Sequence, residues 1–160
     1  MNKMKYFFAG LILIAVFPFV CQAQDDHDKP GENYNAELAQ SLGADEFGMK
    51  SYVFVVLKTG KVEVEDKQKS KEIFAGHFAN MTRLAKEGKL VLAGPFVDGA
   101  PKRGLFILNV STIKEAEELV KTDPAVKAGV FDYELTKLYC SAALMKITEI
   151  HGTIQKSKIE

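Results

Sequence analysis

The stretch that most constrains the fold runs from Ile73 to Phe96, where an amphipathic helix, a glycine and an apolar strand follow one another. At about 100° per residue, one side of the helix predicted over 67–86 is apolar and carries Ile73, Phe74, Phe78, Met81, Leu84 and Ala85. Gly88 is a typical helix end. His77 lies inside the apolar arc, so the sequence predicts a histidine that faces the packing partner of this helix rather than water.

The remainder of the chain repeats this order of strand, helix and strand. Runs of β-branched and aromatic residues predict strands over 52–57, 89–96, 104–110 and 130–138. Thr112 and Glu115 form a capping-box pattern that opens a second helix, and Asp123-Pro124 begins a further short helical turn. The sequence therefore predicts an α+β protein with a ferredoxin-like βαββαβ antiparallel sheet and its helices on one face.

The predicted strands also indicate what covers the other face of the sheet. Three of them (52–57, 89–96 and 104–110) are apolar at both alternating sets of positions. Two helices cover one face only, and a strand with one solvated face carries polar residues at every second position. We therefore expect the free face to pack against a second copy in a two-fold homodimer.

The first 23 residues have the pattern of a secretory signal peptide. Lys3 and Lys5 precede an apolar run over 6–20, and Cys21-Gln22-Ala23 supplies small residues before a cut at Gln24. The alternative is a lipoprotein anchored at Cys21, which the bulky Val20 disfavours. The sequence thus predicts an exported protein, periplasmic or secreted, with no membrane span after removal of the signal.

Three further segments follow the signal. Residues 24–48 predict an acidic flexible tether with a short helix from Asn35 to Leu42, residues 49–147 the domain, and residues 148–160 a C-terminal tail. Asp25, Asp26, His27 and Asp28 are interpreted as a solvated part of the tether rather than as a metal site. Cys140 is the one cysteine left after cleavage, so we expect a buried thiol and no internal disulfide.

Several kinds of chemistry lack their usual signals. With 21 basic and 21 acidic residues, the charge balance gives no argument for nucleic-acid binding. The sequence contains no nucleophile elbow, phosphate-binding loop, dinucleotide fingerprint or CxxC pair. Outside the tether, no spacing of histidines and carboxylates suggests zinc. We therefore expect no metal and no cofactor, and the remaining functions are proton transfer or binding of a small molecule.

His77 is the strongest candidate for proton transfer, because imidazole titrates near neutral pH. Its orienting carboxylate could be Asp98, just beyond the second strand, or Asp123. Both have structural interpretations as well: Asp98-Gly99 is a common turn pair, and Asp123-Pro124 suits a helix N-cap. A histidine on an apolar helix face is also commonly a core residue with one hydrogen bond. The residues alone leave these alternatives open.

The chain resembles a known family at these same residues. The segments that carry the likeness are HFANMTRLAKEGKLVLAGPFVDG, RGLFIL, DPAVKAGVFDYEL and LYCSAAL. Together they resemble the YCII-related (YciI-like) domain family over residues 49–145. The resemblance implies the ferredoxin-like fold in a dimeric α/β barrel. The signal peptide, the acidic tether and the C-terminal tail depart from the usual small cytoplasmic member and argue against a cytoplasmic catabolic role.

The family also implies a site. A histidine on the first helix of the domain and an aspartate have been proposed there as an acid/base dyad, which carries over to His77 with Asp98 as the first choice and Asp123 as the second. Gly94, Pro95 and Phe96 are expected to shape the substrate pocket. One relative is linked to elimination of HCl from a chlorinated ring, and the barrel resembles muconolactone isomerase. The implied function is a cofactor-free lyase or isomerase; the alternative is a non-catalytic domain that binds a small ligand or a protein.

Overall fold

The computed structural model describes residues 31–157. The signal peptide predicted over 1–23, Cys21 and the acidic run over 24–30 lie outside the described residues. Residues 31–34 form one turn, and a separate compact unit begins at Asn35. No helix within residues 31–157 is both long and apolar enough to cross a membrane.

The compact unit contains four strands and five α-helices in the described part of the chain. The strands are β1 Met49–Thr59, β2 Leu90–Pro95, β3 Lys102–Leu108 and β4 Phe131–Ser141. The helices are α1 Ala36–Leu42, α2 Lys67–Lys86, α3 Ile113–Val120, α4 Pro124–Lys127 and α5 Ile147–Ile154, with a 3₁₀ helix at Ala142–Lys146. Helix α2 has the predicted bounds, whereas β1 and β4 are longer than their apolar cores indicate.

The four strands form one antiparallel sheet in the order β2-β3-β1-β4. Strand β1 lies at the centre, and its Val55 is opposite Phe106 of β3 and Leu135 of β4. The hairpin β2-β3 pairs Ala93 with Phe106. This arrangement confirms the predicted α+β class and the antiparallel βαββαβ order.

The main core lies between one face of the sheet and helices α2, α3 and α4. Alternate β1 residues Val53, Val55 and Leu57 are buried there together with Leu84 of α2 and Val120 of α3. The helices start at side-chain caps that satisfy free backbone N–H groups. The Asp66 carboxylate accepts from the Lys69 amide, and Thr112 and Glu115 form the predicted capping box.

The opposite face of the sheet is partly covered by the chain itself, which corrects the expectation of a fully free second face. We define the C-terminal segment as residues 142–154. Its Leu144 and Met145 pack against Tyr52, Val91 and Ile107, which are buried on this face. Burial raises the pKa of the Tyr52 hydroxyl, which donates to the Ser141 carbonyl at 3.2 Å.

The C-terminal segment also makes hydrogen bonds to the residue before β1 and to the edge strand β2. The Ala142 amide donates to the Gly48 carbonyl at 2.9 Å, and Thr148 Oγ1 donates to the Val91 carbonyl at 3.3 Å. The predicted boundary between domain and tail, at residues 147 and 148, therefore falls inside α5. Strand β4 runs to Ser141, three residues beyond its predicted end, and the C-terminal segment begins directly after it.

Candidate active site

His77 occupies the middle of α2 and points into the protein, as the helical periodicity predicts. It is 7% exposed and lies among four phenylalanine rings. The ring of Phe106 stacks on the imidazole with centroids 6.0 Å apart, and Phe131 and Phe78 meet it edge-on at 5.4 Å. Phe74 completes the enclosure at 6.5 Å. These apolar rings lower the local dielectric around the imidazole, so any polar contact that it makes is strengthened.

The polar partner of His77 is Asp123. Imidazole Nδ1 and carboxylate Oδ2 are 2.6 Å apart, and both side chains are buried. An ionised carboxylate can only accept, so Nδ1 carries the hydrogen and donates it. In the neutral imidazole this leaves the lone pair on Nε2, which is the nitrogen available to take a proton.

Asp123 is held by a second hydrogen bond, from its own helix. Its other oxygen, Oδ1, accepts from the Ala125 amide at 2.9 Å, and Pro124 occupies the first turn of α4. Asp123 is therefore both the N-cap of α4 and the hydrogen-bond partner of His77, so both interpretations of this residue apply at once. Oδ1 is held by the cap, and Oδ2 is directed at His77.

Gly76 allows α2 and α4 to approach closely enough for this contact. A Cβ atom at Gly76 would lie 2.9 Å from Pro124 Cγ and 3.2 Å from Pro124 Cβ. Gly76, which precedes His77, and Pro124, which follows Asp123, are thus in direct contact. A larger residue at position 76 would separate the helices that carry His77 and Asp123.

A polar cluster outside the four phenylalanine rings also connects α2 to the segment before α4. Arg83 donates to Asn80 Oδ1 at 2.8 Å and to Thr122 Oγ1 at 3.0 Å. The Thr122 hydroxyl in turn donates to the Leu119 carbonyl at 2.6 Å. These contacts join α2 to the residue immediately before Asp123 and help to fix the position of the carboxylate.

The second imidazole nitrogen has no polar partner in the described part of the chain. Nε2 makes no hydrogen bond to residues 31–157. With Nδ1 on Asp123, Nε2 is the ring nitrogen left for a proton-transfer role.

Two of the rings that enclose His77 also line a cavity of about 450 Å³. Its lining comes from the segment after β1, the start of α2, the start of β3 and the start of β4. These residues are Thr59, Gly60, Lys61, Val62, Glu63, Val64, Ser70, Ile73, Phe74, Arg103, Val130 and Phe131. His77 is not part of the lining, but Phe74 and Phe131 contact both the cavity and the imidazole.

Asp98, the first choice as histidine partner, is not brought to His77. It lies in an exposed turn between β2 and β3, and the carboxylate that reaches the imidazole in this chain is that of Asp123. The hairpin between β2 and β3 turns outward into solvent, so this chain does not bring Asp98 to His77. Asp98 therefore has the turn role that Asp98-Gly99 also suggested.

The predicted pocket residues lie at the end of β2 and just beyond it. Gly94 is opposite Leu105 of β3, Pro95 is exposed, and the Phe96 amide donates to the Arg103 carbonyl at 3.0 Å. Gly94, Pro95 and Phe96 do not line the cavity beside His77. The lining residues Lys61 and Arg103 were not predicted from the sequence, because neither belongs to a recognisable motif.

Two other predicted features can be placed in the structure. Cys140 is a free, half-buried thiol on the second face of the sheet. Among residues 31–157, no group of three or more histidine, cysteine or carboxylate side chains could hold a metal ion.

The fold and the buried histidine-aspartate pair define a small α+β domain, and comparison with known proteins gives its family. Residues 52–138 match the family described as the YCII-related domain. The chain belongs to this family. YjpA of Bacillus subtilis (strain 168), an uncharacterised protein, is 30% identical over 81 residues, which are 51% of this chain and 85% of YjpA.

A solved structure is more distantly similar. It is 5-chloro-2-hydroxyhydroquinone dehydrochlorinase (TftG) from Burkholderia phenoliruptrix AC1100, in complex with 2,5-dihydroxybenzoquinone. The identity is 21% and the TM-score 0.39, over 54% of this chain and 90% of that one. At this distance, residues of the two sites are not matched one to one.

Replacing Asp123 by alanine tests the double role of its carboxylate. Alanine removes both acceptor oxygens, so neither His77 Nδ1 nor the Ala125 amide keeps its partner. Two buried hydrogen bonds are lost, so D123A should lower the free energy of unfolding by about 2–5 kcal/mol in urea titrations. The matched control D98A changes an exposed turn and should stay within about 0.5 kcal/mol of the parent. Equal stability of the two variants would contradict the double role.

Proposed function

We propose that this YCII-related domain is a cofactor-free lyase or isomerase for a small molecule, with His77 as the proton-transfer group and Asp123 as its positioning residue. The observation that carries the proposal is the buried Nδ1–Oδ2 hydrogen bond of 2.6 Å. Membership of the family is consistent with small-molecule catalysis or binding. The reaction and the roles of the two residues are inferred from the geometry and chemistry of the pair.

In the proposed reaction Nε2 takes a proton from a carbon acid. The C–H bond breaks, its electron pair forms a new C=C bond, and the imidazole becomes an imidazolium ion. In an elimination a leaving group departs with its bonding pair, and the imidazolium then gives its proton to solvent. In an isomerisation the new C=C bond displaces the π pair of an existing double bond, and that pair takes the proton back from the imidazolium at another carbon of the same molecule. General acid–base groups of this kind typically contribute about 10²–10⁴ in rate.

Asp123 acts on this cycle in two ways. Its carboxylate fixes the tautomer with the lone pair on Nε2, and it stabilises the positive charge that the ring acquires. The phenylalanine rings around the pair limit access of water, which keeps the electrostatic contribution large. Asp123 is fully buried, and its Oδ1 accepts from the Ala125 amide. The carboxylate is therefore held in place, and little movement of its side chain accompanies proton transfer.

A second candidate function is a domain that binds a small ligand or a protein without turnover. The observation that favours it is the burial of His77, which is 7% exposed and does not line the cavity of about 450 Å³. In this case His77 and Asp123 would join α2 to α4 as a structural pair. The two candidates differ in one measurable property. Only the first predicts that a small molecule exchanges a C–H proton or loses a leaving group.

We also propose that a second copy covers the remaining part of the sheet. Beyond the C-terminal segment, Phe54, Val56 and Leu105 are half-buried on the second face and adjacent in register. An apolar surface of this kind is a common site of association. The proposed partner is an identical subunit, as in the barrel that the family resemblance implies.

His77→Gln tests the proton-transfer role, with His151→Gln as the matched control in the exposed part of α5. Small carbon acids are incubated in D₂O, and loss of C–H signal and appearance of products are followed by proton NMR. For a compound turned over by the parent, H77Q should lose about 10²–10⁴ in rate while H151Q retains it. Full activity of H77Q would contradict the first function, and binding without any exchange by the parent would support the second.

Val56→Glu tests the homodimer, with Val97→Glu as its control. Val97 is 95% exposed in the β2-β3 turn, so the same substitution there removes no buried surface. A glutamate at position 56 would be buried beside Glu134, its neighbour in register. Sedimentation should give a dimeric mass for the parent and V97E and a monomeric mass for V56E. A monomeric parent would rule out the dimer.

We further propose that the protein acts outside the cytoplasm, on the basis of the sequence pattern over residues 1–23. Mass spectrometry of the protein recovered from cell fractions checks this location. The expected N-terminus is Gln24 in the periplasmic or secreted fraction. A lipid-bearing Cys21 would indicate an anchored lipoprotein instead, and an intact Met1 in the cytoplasm would contradict export.

A further inference from the structure

We propose that the cavity beside the His77–Asp123 pair binds a small planar organic carboxylate. Arg103 would bind the carboxylate group, and Phe74 and Phe131 would contact the apolar body of the ligand. The proposal does not rest on the proposed function, because His77 does not line this cavity and Phe74 and Phe131 lie between the cavity and the imidazole. The binding site itself is independent of turnover.

The charges of the cavity favour an anion. Its lining carries two cations, Lys61 and Arg103, and one carboxylate, Glu63. Neither cation has an ion-pair partner within residues 31–157, where the ion pairs involve other side chains. Guanidinium is planar and matches a carboxylate with two parallel hydrogen bonds, so Arg103 is the better carboxylate ligand of the two.

The apolar part of the cavity suits a flat ligand. Phe74 and Phe131 meet edge to face with centroids 5.8 Å apart, and both line the space. Ile73 and Val130 extend this apolar wall. A volume of about 450 Å³ is within the range of about 300–1,000 Å³ that is usual for small-molecule sites.

Backbone contacts hold the rim of the cavity in place. The Gly60 amide donates to the Val130 carbonyl at 2.8 Å, and the Val62 amide donates to the Gly129 carbonyl at 3.0 Å. A Cβ at Gly60 would lie 2.1 Å from the Gly129 carbonyl oxygen, so only glycine permits this approach. The segment that carries Lys61 is thus tied to the start of β4, and little order has to be gained when a ligand binds.

The cavity is close enough to His77 for the imidazole to report on binding. The ring of Phe131 is 5.4 Å from the imidazole of His77, and that of Phe74 is 6.5 Å away. A ligand packed on these rings lies one aromatic layer from the imidazole. Binding in the cavity should therefore change the environment of His77 even in the absence of turnover.

The test uses benzoate as the anionic probe and benzamide as its neutral isostere, titrated into the full-length protein and followed by NMR. Benzoate is expected to shift the signals of Phe74, Phe131 and His77, and to bind at least about tenfold more tightly than benzamide. R103Q should weaken benzoate binding by about tenfold or more. The matched control K102Q removes the same charge at an exposed neighbour outside the cavity lining and should change the affinity less than about twofold.

Three results would overturn the proposal. The first is equal affinity for benzoate and benzamide, and the second is an equal loss of benzoate affinity in R103Q and K102Q. The third is no shift of the cavity signals up to about 10 mM benzoate, which corresponds to a binding free energy of less than about 3 kcal/mol. H77Q separates this proposal from the catalytic one. If H77Q binds benzoate like the parent but turnover never depends on His77, the anion site stands and the proposed reaction falls.

Discussion

The buried hydrogen bond between His77 and Asp123 is the contact on which the rest of the site depends. It joins residues 46 positions apart and fixes α2 against the beginning of α4. A buried carboxylate is strongly unfavourable unless it is paired and hydrogen-bonded. Asp123 meets this requirement with one oxygen on the imidazole and the other on the Ala125 amide. The tautomer of the histidine and the start of a helix are therefore determined by one side chain.

Local patterns in the sequence predicted much of this fold. The apolar periodicity gave the bounds of α2 and the inward direction of His77, because both depend only on neighbours along the helix. The Thr112–Glu115 capping box is equally local. The choice between Asp98 and Asp123 was not local, since it depends on whether the hairpin after β2 or the turn before α4 approaches α2. The N-cap and the histidine partner were weighed as alternatives for Asp123, although its two oxygens serve both.

The second face of the sheet shows another limit of sequence reasoning. Apolar residues on both sides of β1 and β3 correctly indicated that something covers each face, but the pattern does not say which chain supplies the cover. The C-terminal segment covers Tyr52 and Ile107 from within the same chain. The cavity was missed for a related reason: Lys61 follows β1 and Arg103 lies in β3, so these residues are distant in the sequence and line one cavity only in the folded chain.

Gly76 carries a consequence for how this protein can evolve or be engineered. A glycine inside a helix weakens that helix by about 1 kcal/mol relative to alanine. Here the missing methyl group is what lets Pro124 lie against α2. Selection for thermal robustness of α2 alone would favour alanine and would move the aspartate away from its imidazole. The most stable version of this helix and the version that keeps the pair intact are thus different sequences, and the chain carries the second.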